Sequence, residues 1–142
     1  MGTDIRPEIS EKNKYWISRH RYYELKHFCM QYPEWIKEYR SLIDIYGLSA
    51  TSIEKERLSK TNRIQDLEFE CYIRQEELSK RINLVRNTAI QAGGDLHTYI
   101  LKGVTDGLTY PSLRARFGIP CCKDVYYEMY RKFFWLLDKS RK

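Results

Sequence analysis

Gly118 and Pro120 interrupt an otherwise helix-forming stretch, residues 108–137 (LTYPSLRARFGIPCCKDVYYEMYRKFFWLL), and this constrains the fold more than any other feature of the chain. A glycine at that place can end a helix in the left-handed conformation, and a proline two residues later bars its continuation. The stretch therefore reads as two helices joined at a tight corner. Thr109 suits the N-cap of the first, with Pro111 in the first turn, where a missing N–H costs nothing. Leu113 and Phe117 share a face, and Ile119 fills the corner. Residues 121–124 open the second helix, with Asp124 near the positive end of its dipole. Val125, Met129, Phe133, Leu136 and Leu137 recur at helical spacing and predict its buried face. Two short helices crossing at a glycine corner, the second basic and aromatic, have the layout of a helix-turn-helix. Arg114 stands where a small residue is usual and Val125 comes one place late, so the turn reads as lengthened by one residue, Ile119-Pro120-Cys121. A plain helical hairpin inside a core is the other arrangement these residues allow.

If Val125, Met129, Phe133 and Leu136 point inward, then Lys123, Tyr127, Tyr130 and Arg131 point outward, with Asp124 further round. The first turns of a recognition helix meet base edges, which makes Lys123, Asp124 and Tyr127 the candidate base readers. A lysine can donate to guanine O6 and N7, and an aspartate can accept from cytosine N4. Arg114, Arg116, Tyr130, Arg131 and Lys132 are the candidate phosphate contacts, which position a protein without reading sequence. The charge distribution points the same way. Net charge is +6; residues 108–142 hold eight Lys or Arg against three acids, residues 11–31 five against two, and residues 32–107 eleven against twelve. Basic ends around a balanced middle suggest a polyanionic partner, here double-stranded DNA. Solubility charge is the plainer alternative.

Upstream, residues 1–9 read as a disordered lead-in. Ser10 can cap a helix over 11–31 whose face holds Tyr15, Tyr22, Leu25, Cys29 and Tyr32, widened by Phe28. Arg19, Arg21 and Lys26 lie among its tyrosines; they either grip nucleic acid or lay their stems over apolar surface. Pro33 starts a second helix, 34–46, ending at Gly47, with Trp35, Tyr39, Leu42 and Tyr46 as its stripe and Ile36 and Ile43 beside it. The short break between the two makes them expected neighbours. After a linker at 48–52 comes the longest helix, from Thr51 (Thr51-x-x-Glu54) or from Asn62 (Asn62-x-x-Gln65), both resembling capping boxes. It runs to Ala92 and stops at Gly93-Gly94. Ile64, Cys71, Leu78, Val85 and Ala92 recur every seven residues over about 45 Å. Ile82 and Ala89 thicken this stripe, whereas Glu68 and Gln75 thin it. It is a candidate oligomerisation seam for a homodimer, or an ordinary core face. Asp95 caps a last supporting helix, 95–106, with Leu96, Ile100, Leu101 and Val104 apolar and Gly107 ending it. The predicted fold is all-α: an N-terminal helical pair, a long central helix and a C-terminal three-helix unit. It divides into residues 1–92, the oligomerisation region, and 95–142, the DNA-binding unit.

Other chemistry is missing from the pattern. His20, His27 and His97 are dispersed, and no glycine-rich phosphate loop precedes a helix. Cys29, Cys71, Cys121 and Cys122 include one adjacent pair but no zinc-type spacing, so no metal, cofactor or disulfide framework is expected. Cys121 and Cys122 sit where a thiolate would be stabilised, but no base is near in sequence, and capping or packing explains them better. No apolar run approaches a membrane span and the start lacks a signal-peptide core, so a soluble, intracellular protein that is not an enzyme is expected.

This order of parts resembles the small phage and prophage transcriptional regulators of the RinA and ArpU type found in Gram-positive hosts. The features that carry the likeness are an N-terminal helix, the segment Tyr32-Pro33-Glu34-Trp35, the long central helix, and a helix-turn-helix followed by the basic, aromatic segment 130–137 (YRKFFWLL). It is a likeness of layout over nearly the whole chain. It implies sequence-specific DNA binding, activation of late phage genes, a place in the cytoplasm of a bacterial host and contact with host RNA polymerase. The C-terminal unit is also similar to the promoter-reading helix-turn-helix of sigma factors. Two other classes share the features: a small-terminase-like DNA-packaging subunit, and a helical protein-interaction module without DNA contact.

Overall fold

The computed structural model describes residues 13–46 and 62–141. Among them every regular element is helical, as the apolar spacing predicts. The elements are α1 (Arg19–Met30), α2 (Tyr32–Tyr46), α3 (Asn62–Gly93), a short 3-10 turn (Gly94–Leu96), α4 (His97–Asp106), α5 (Tyr110–Phe117) and α6 (Lys123–Ser140). The expected lead-in at 1–9, the Ser10 cap, the Gly47 stop, the 48–52 linker, the Thr51 capping box and the Ile64 side chain lie outside what is described.

Three expected boundaries move, each for a local reason. Helix α1 begins at Arg19, not residue 11. The Asn13 side chain accepts the Tyr15 N–H at 2.8 Å and the Asn13 carbonyl accepts that of Trp16, a turn that competes with helix. Ser18 then caps α1 by accepting from the Arg21 N–H. Asp95 is not the cap of α4 but lies inside the 3-10 turn, and Leu96 precedes α4 without any side-chain cap bond. Helix α6 opens at Lys123, two residues later than expected, with Cys122 as its uncapped N-cap.

The chain forms two compact units. One comprises residues 1–33 with 83–142, and the other is Glu34–Ile82. In the first, α1 packs on α4 and α6, and α4 packs also on α5. The sequence paired α1 with α2, but the partners of α1 in this core are the later helices. Tyr22, Leu25, Phe28 and Cys29 of α1 are buried together with Ile100 and Val104 of α4 and an aromatic block on α6. The Tyr22 ring stands edge-on to Phe134, centroids 5.1 Å apart, and its hydroxyl shares a 2.7 Å hydrogen bond with that of Tyr130. Arg21 ties α1 to the end of α6. Its Nε donates to Asp138 Oδ1 at 2.6 Å and its Nη2 to the Asp138 and Arg141 carbonyls, groups a helix C-terminus leaves open. Lys26 lies over the Tyr22 and Tyr23 rings. For these two residues the packing alternative describes the structure.

In the second unit Trp35 of α2 is buried, with the Arg81 guanidinium over its ring. Arg74 of α3 grips Glu38 of α2 with two nearly parallel bonds, 2.7 and 3.0 Å, and reaches Glu77 as well. The Glu38 carboxyl lies below the ordinary carboxylate range because Arg74 donates to it. Along α3 as a whole, Cys71, Leu78, Val85 and Ala92 of the seven-residue stripe are buried, and so are Ile82, Ala89 and the polar Glu68 and Gln75. One chain by itself already covers this stripe, as an ordinary core face would be.

Candidate nucleic-acid interface

Helices α5 and α6 meet at residues 118–122. Thr109 caps α5 by accepting the Ser112 N–H, and Pro111 sits in its first turn. Gly118 is left-handed, φ 61°, and its N–H returns to the Arg114 and Leu113 carbonyls, which are otherwise open at a helix end. Leu113 and Ile119 are buried beneath the corner. Tyrosines then link the two helices. The Tyr110 hydroxyl donates to the Cys121 carbonyl at 2.5 Å, and its ring lies 5.9 Å from that of Tyr126. The Tyr110 N–H donates to the Tyr127 hydroxyl at 3.4 Å. Neither Tyr110 nor Tyr126 stands out from the sequence, where the spacing of Val125, Met129, Phe133 and Leu136 points to a different face of α6. The usable signal was their number, since the segment 126–130 alone carries three.

The inward face of α6 differs from the expected one. Val125 is 47 % exposed, and Met129 and Leu136 are only half-buried, whereas Tyr126, Tyr127, Tyr130, Phe133, Phe134 and Leu137 form the buried face. The physical reason is area. A ring removes far more apolar surface from water than a valine does, so the helix turns its rings inward. Tyr127 is therefore no base reader. Tyr130 is no phosphate contact either, since its hydroxyl is held by Tyr22 inside the core. Phe117, expected in the core with Leu113, is 38 % exposed, and its ring carries Lys102 Nζ at 4.7 Å and the Arg116 guanidinium at 5.3 Å.

The remaining candidates stay accessible to different degrees. Lys123 and Asp124 are exposed in the first turn of α6, and Arg114 and Arg116 are exposed on α5. Arg131 and Lys132 are half-buried, and Arg131 is engaged by Glu128 at 3.2 Å. Cys121 is half-buried, and its thiol is pushed up first by burial and then by its neighbour Cys122. That favours the protonated thiol and fits packing better than reactivity. Among the described residues no cluster of three or more His, Cys, Asp or Glu could hold a metal ion, and no helix is long and apolar enough to cross a membrane. The corner thus presents three cations and one carboxylate, Arg114, Arg116, Lys123 and Asp124, on two helices whose inner sides bury Leu113 on α5 and a block of rings on α6. No protein-family model, curated protein or solved structure matches the chain.

Proposed function

We propose that this chain binds double-stranded DNA with α5 and α6 acting as a helix-turn-helix, and that it is a transcription regulator of the phage or prophage kind. One observation carries the proposal: Arg114, Arg116, Lys123 and Asp124 are exposed on the two sides of a corner that Gly118 caps, Ile119 fills and contacts among Tyr110, Tyr126 and Tyr127 bridge. A rigid support is what base reading requires, because a loosely held side chain cannot discriminate among groove edges. Lys123 and Asp124, in the first turn of α6, are the base readers, and Arg114 and Arg116 bind phosphate. The layout shared with RinA- and ArpU-type regulators extends the proposal to late-gene activation and to host RNA polymerase as a second partner.

Two variants separate the roles. Arg116→Ala should weaken binding to all duplexes alike and lower the slope of log affinity against log salt by about one unit. Lys123→Ala should lose about 1–3 kcal/mol on a selected site and little on scrambled DNA. Equal losses by both variants on both duplexes would remove the assigned base-reading role. A ring-shaped oligomer in solution would favour a packaging subunit over a regulator.

A further inference from the structure

The inward stripe of α3 is covered within the chain, yet the helix carries a second apolar face. Phe69, Tyr72 and Ile73 are 52, 45 and 42 % exposed. Single exposed apolar residues are ordinary, but these three are neighbours on one helix face and form a patch, and such patches mark contact surfaces. Asp66, Phe69, Ile73, Glu76 and Lys80 follow one another at spacings of three, four, three and four, and all five are exposed. That is the spacing of a helix–helix seam. It lies on the side of α3 away from buried Cys71, Gln75 and Leu78, entirely within the second unit.

We infer that this face pairs with the same face of a second copy of the chain, antiparallel, about a two-fold axis at Ile73. The charges decide both the partner and the direction. Asp66 and Lys80 each lie seven residues from Ile73, about 10 Å along the helix. An antiparallel pairing centred on Ile73 therefore sets Asp66 of each copy against Lys80 of the other, twice by symmetry. Phe69 then lies on the aliphatic stem of the opposing Glu76, and Ile73 meets Ile73. A parallel pairing would oppose Asp66 to Asp66, Glu76 to Glu76 and Lys80 to Lys80, three like-charge contacts. No ion pair among the described residues engages Asp66, Glu76 or Lys80, whereas Arg74 is already committed to Glu38 and Glu77. The patch is small. An aromatic side chain offers roughly 150–250 Å² and about half of each ring is already covered, so each copy buries a few hundred Å², below the roughly 800 Å² of a standard interface. The dimer is accordingly weak and concentration-dependent, and it does not depend on DNA.

Sedimentation of the full chain over a concentration series tests this. The wild type should shift from monomer to dimer, and Ile73→Glu should raise the dissociation constant by roughly tenfold or more while leaving helicity and melting unchanged, because Ile73 faces water in one copy. Asp66→Lys and Lys80→Asp should each weaken the dimer, and the two together should restore it to within a few-fold of wild type. A wild type that stays monomeric at millimolar concentration overturns the inference and leaves the face to some other partner. So does a dimer indifferent to Ile73→Glu. Losses that add in the double reversal instead of cancelling overturn the antiparallel register.

Discussion

Among the described glycines, Gly103 of α4 leaves the least room for a side chain, against Tyr126 of α6, and this permits a two-residue test of the packing. A methyl group built at Gly103 would lie 2.0 Å from the Tyr126 hydroxyl oxygen and 3.3 Å from its ring carbon Cζ. Tyr126 is fully buried, so the ring has no free space into which to retreat. Its hydroxyl finds no hydrogen-bond partner among the described residues, and burial raises its pKa well above the usual tyrosine value. In an open helix, replacing glycine by alanine gains about 1 kcal/mol. Here the overlap costs about 1–3 kcal/mol or more, so Gly103→Ala should destabilise. Tyr126→Phe removes a buried hydroxyl whose lost hydration costs about 1–3 kcal/mol, and it should be neutral or stabilising. Combined with Tyr126→Phe, Gly103→Ala would meet nothing closer than the ring carbon, and most of its cost should vanish. Urea unfolding followed by far-UV circular dichroism gives the four stabilities of this cycle. The expected coupling is about 1–3 kcal/mol in favour of the double variant. Additive effects, or a Tyr126→Phe variant clearly less stable than wild type, would show that α4 and α6 do not meet as described.

Phe133→Ala should cost about 3–5 kcal/mol in the same assay, because the ring is fully buried; a near-neutral result would contradict the assigned face of α6. The Arg74–Glu38 pair should make stability depend on pH in the acid range. Since Arg74 lowers the Glu38 pKa in the folded chain, its contribution is complete above the unfolded value of about 4.3 and is lost as pH falls through the lower folded value. Both side chains are more than a third exposed, so the effect is small. It should appear as a reduced acid slope in Glu38→Gln, and an unchanged slope would show that the pair contributes nothing.

Punctuation was the most legible part of the sequence. Thr109, Pro111 and Gly118 bound α5 where their chemistry predicts, and Gly107 ends α4 in the left-handed conformation. Among the described residues, the spacing of the apolar residues also pointed to a helix in each of α1, α2, α3, α4 and α6. The side of α6 that faces inward was not legible, because this helix carries two overlapping stripes. One is the aliphatic set Val125, Met129 and Leu136, and the other is the tyrosine-rich set that the core takes. A hydropathy scale ranks a tyrosine below a valine, but a core ranks them by the area they remove from water. The start of α1 was hidden for a different reason. The apolar spacing runs smoothly through Tyr15, and only the Asn13 side chain diverts the backbone into a turn. The pairing of α1 with α4 and α6 depends on contacts far apart in sequence, such as Tyr22 with Tyr130 and Arg21 with Asp138, which no local pattern encodes.

DNA binding is the central claim, and the salt dependence of affinity tests it most directly. The wild-type chain is titrated onto a duplex selected from random sequence and onto a scrambled duplex, each at several salt concentrations. The three exposed cations of the corner, Arg114, Arg116 and Lys123, should give log affinity falling linearly with log salt at a slope of about −2 to −3. The selected duplex should be favoured at every salt concentration. Affinity that does not change with salt, or no binding to either duplex, would contradict the claim and leave the basic corner as solvated surface.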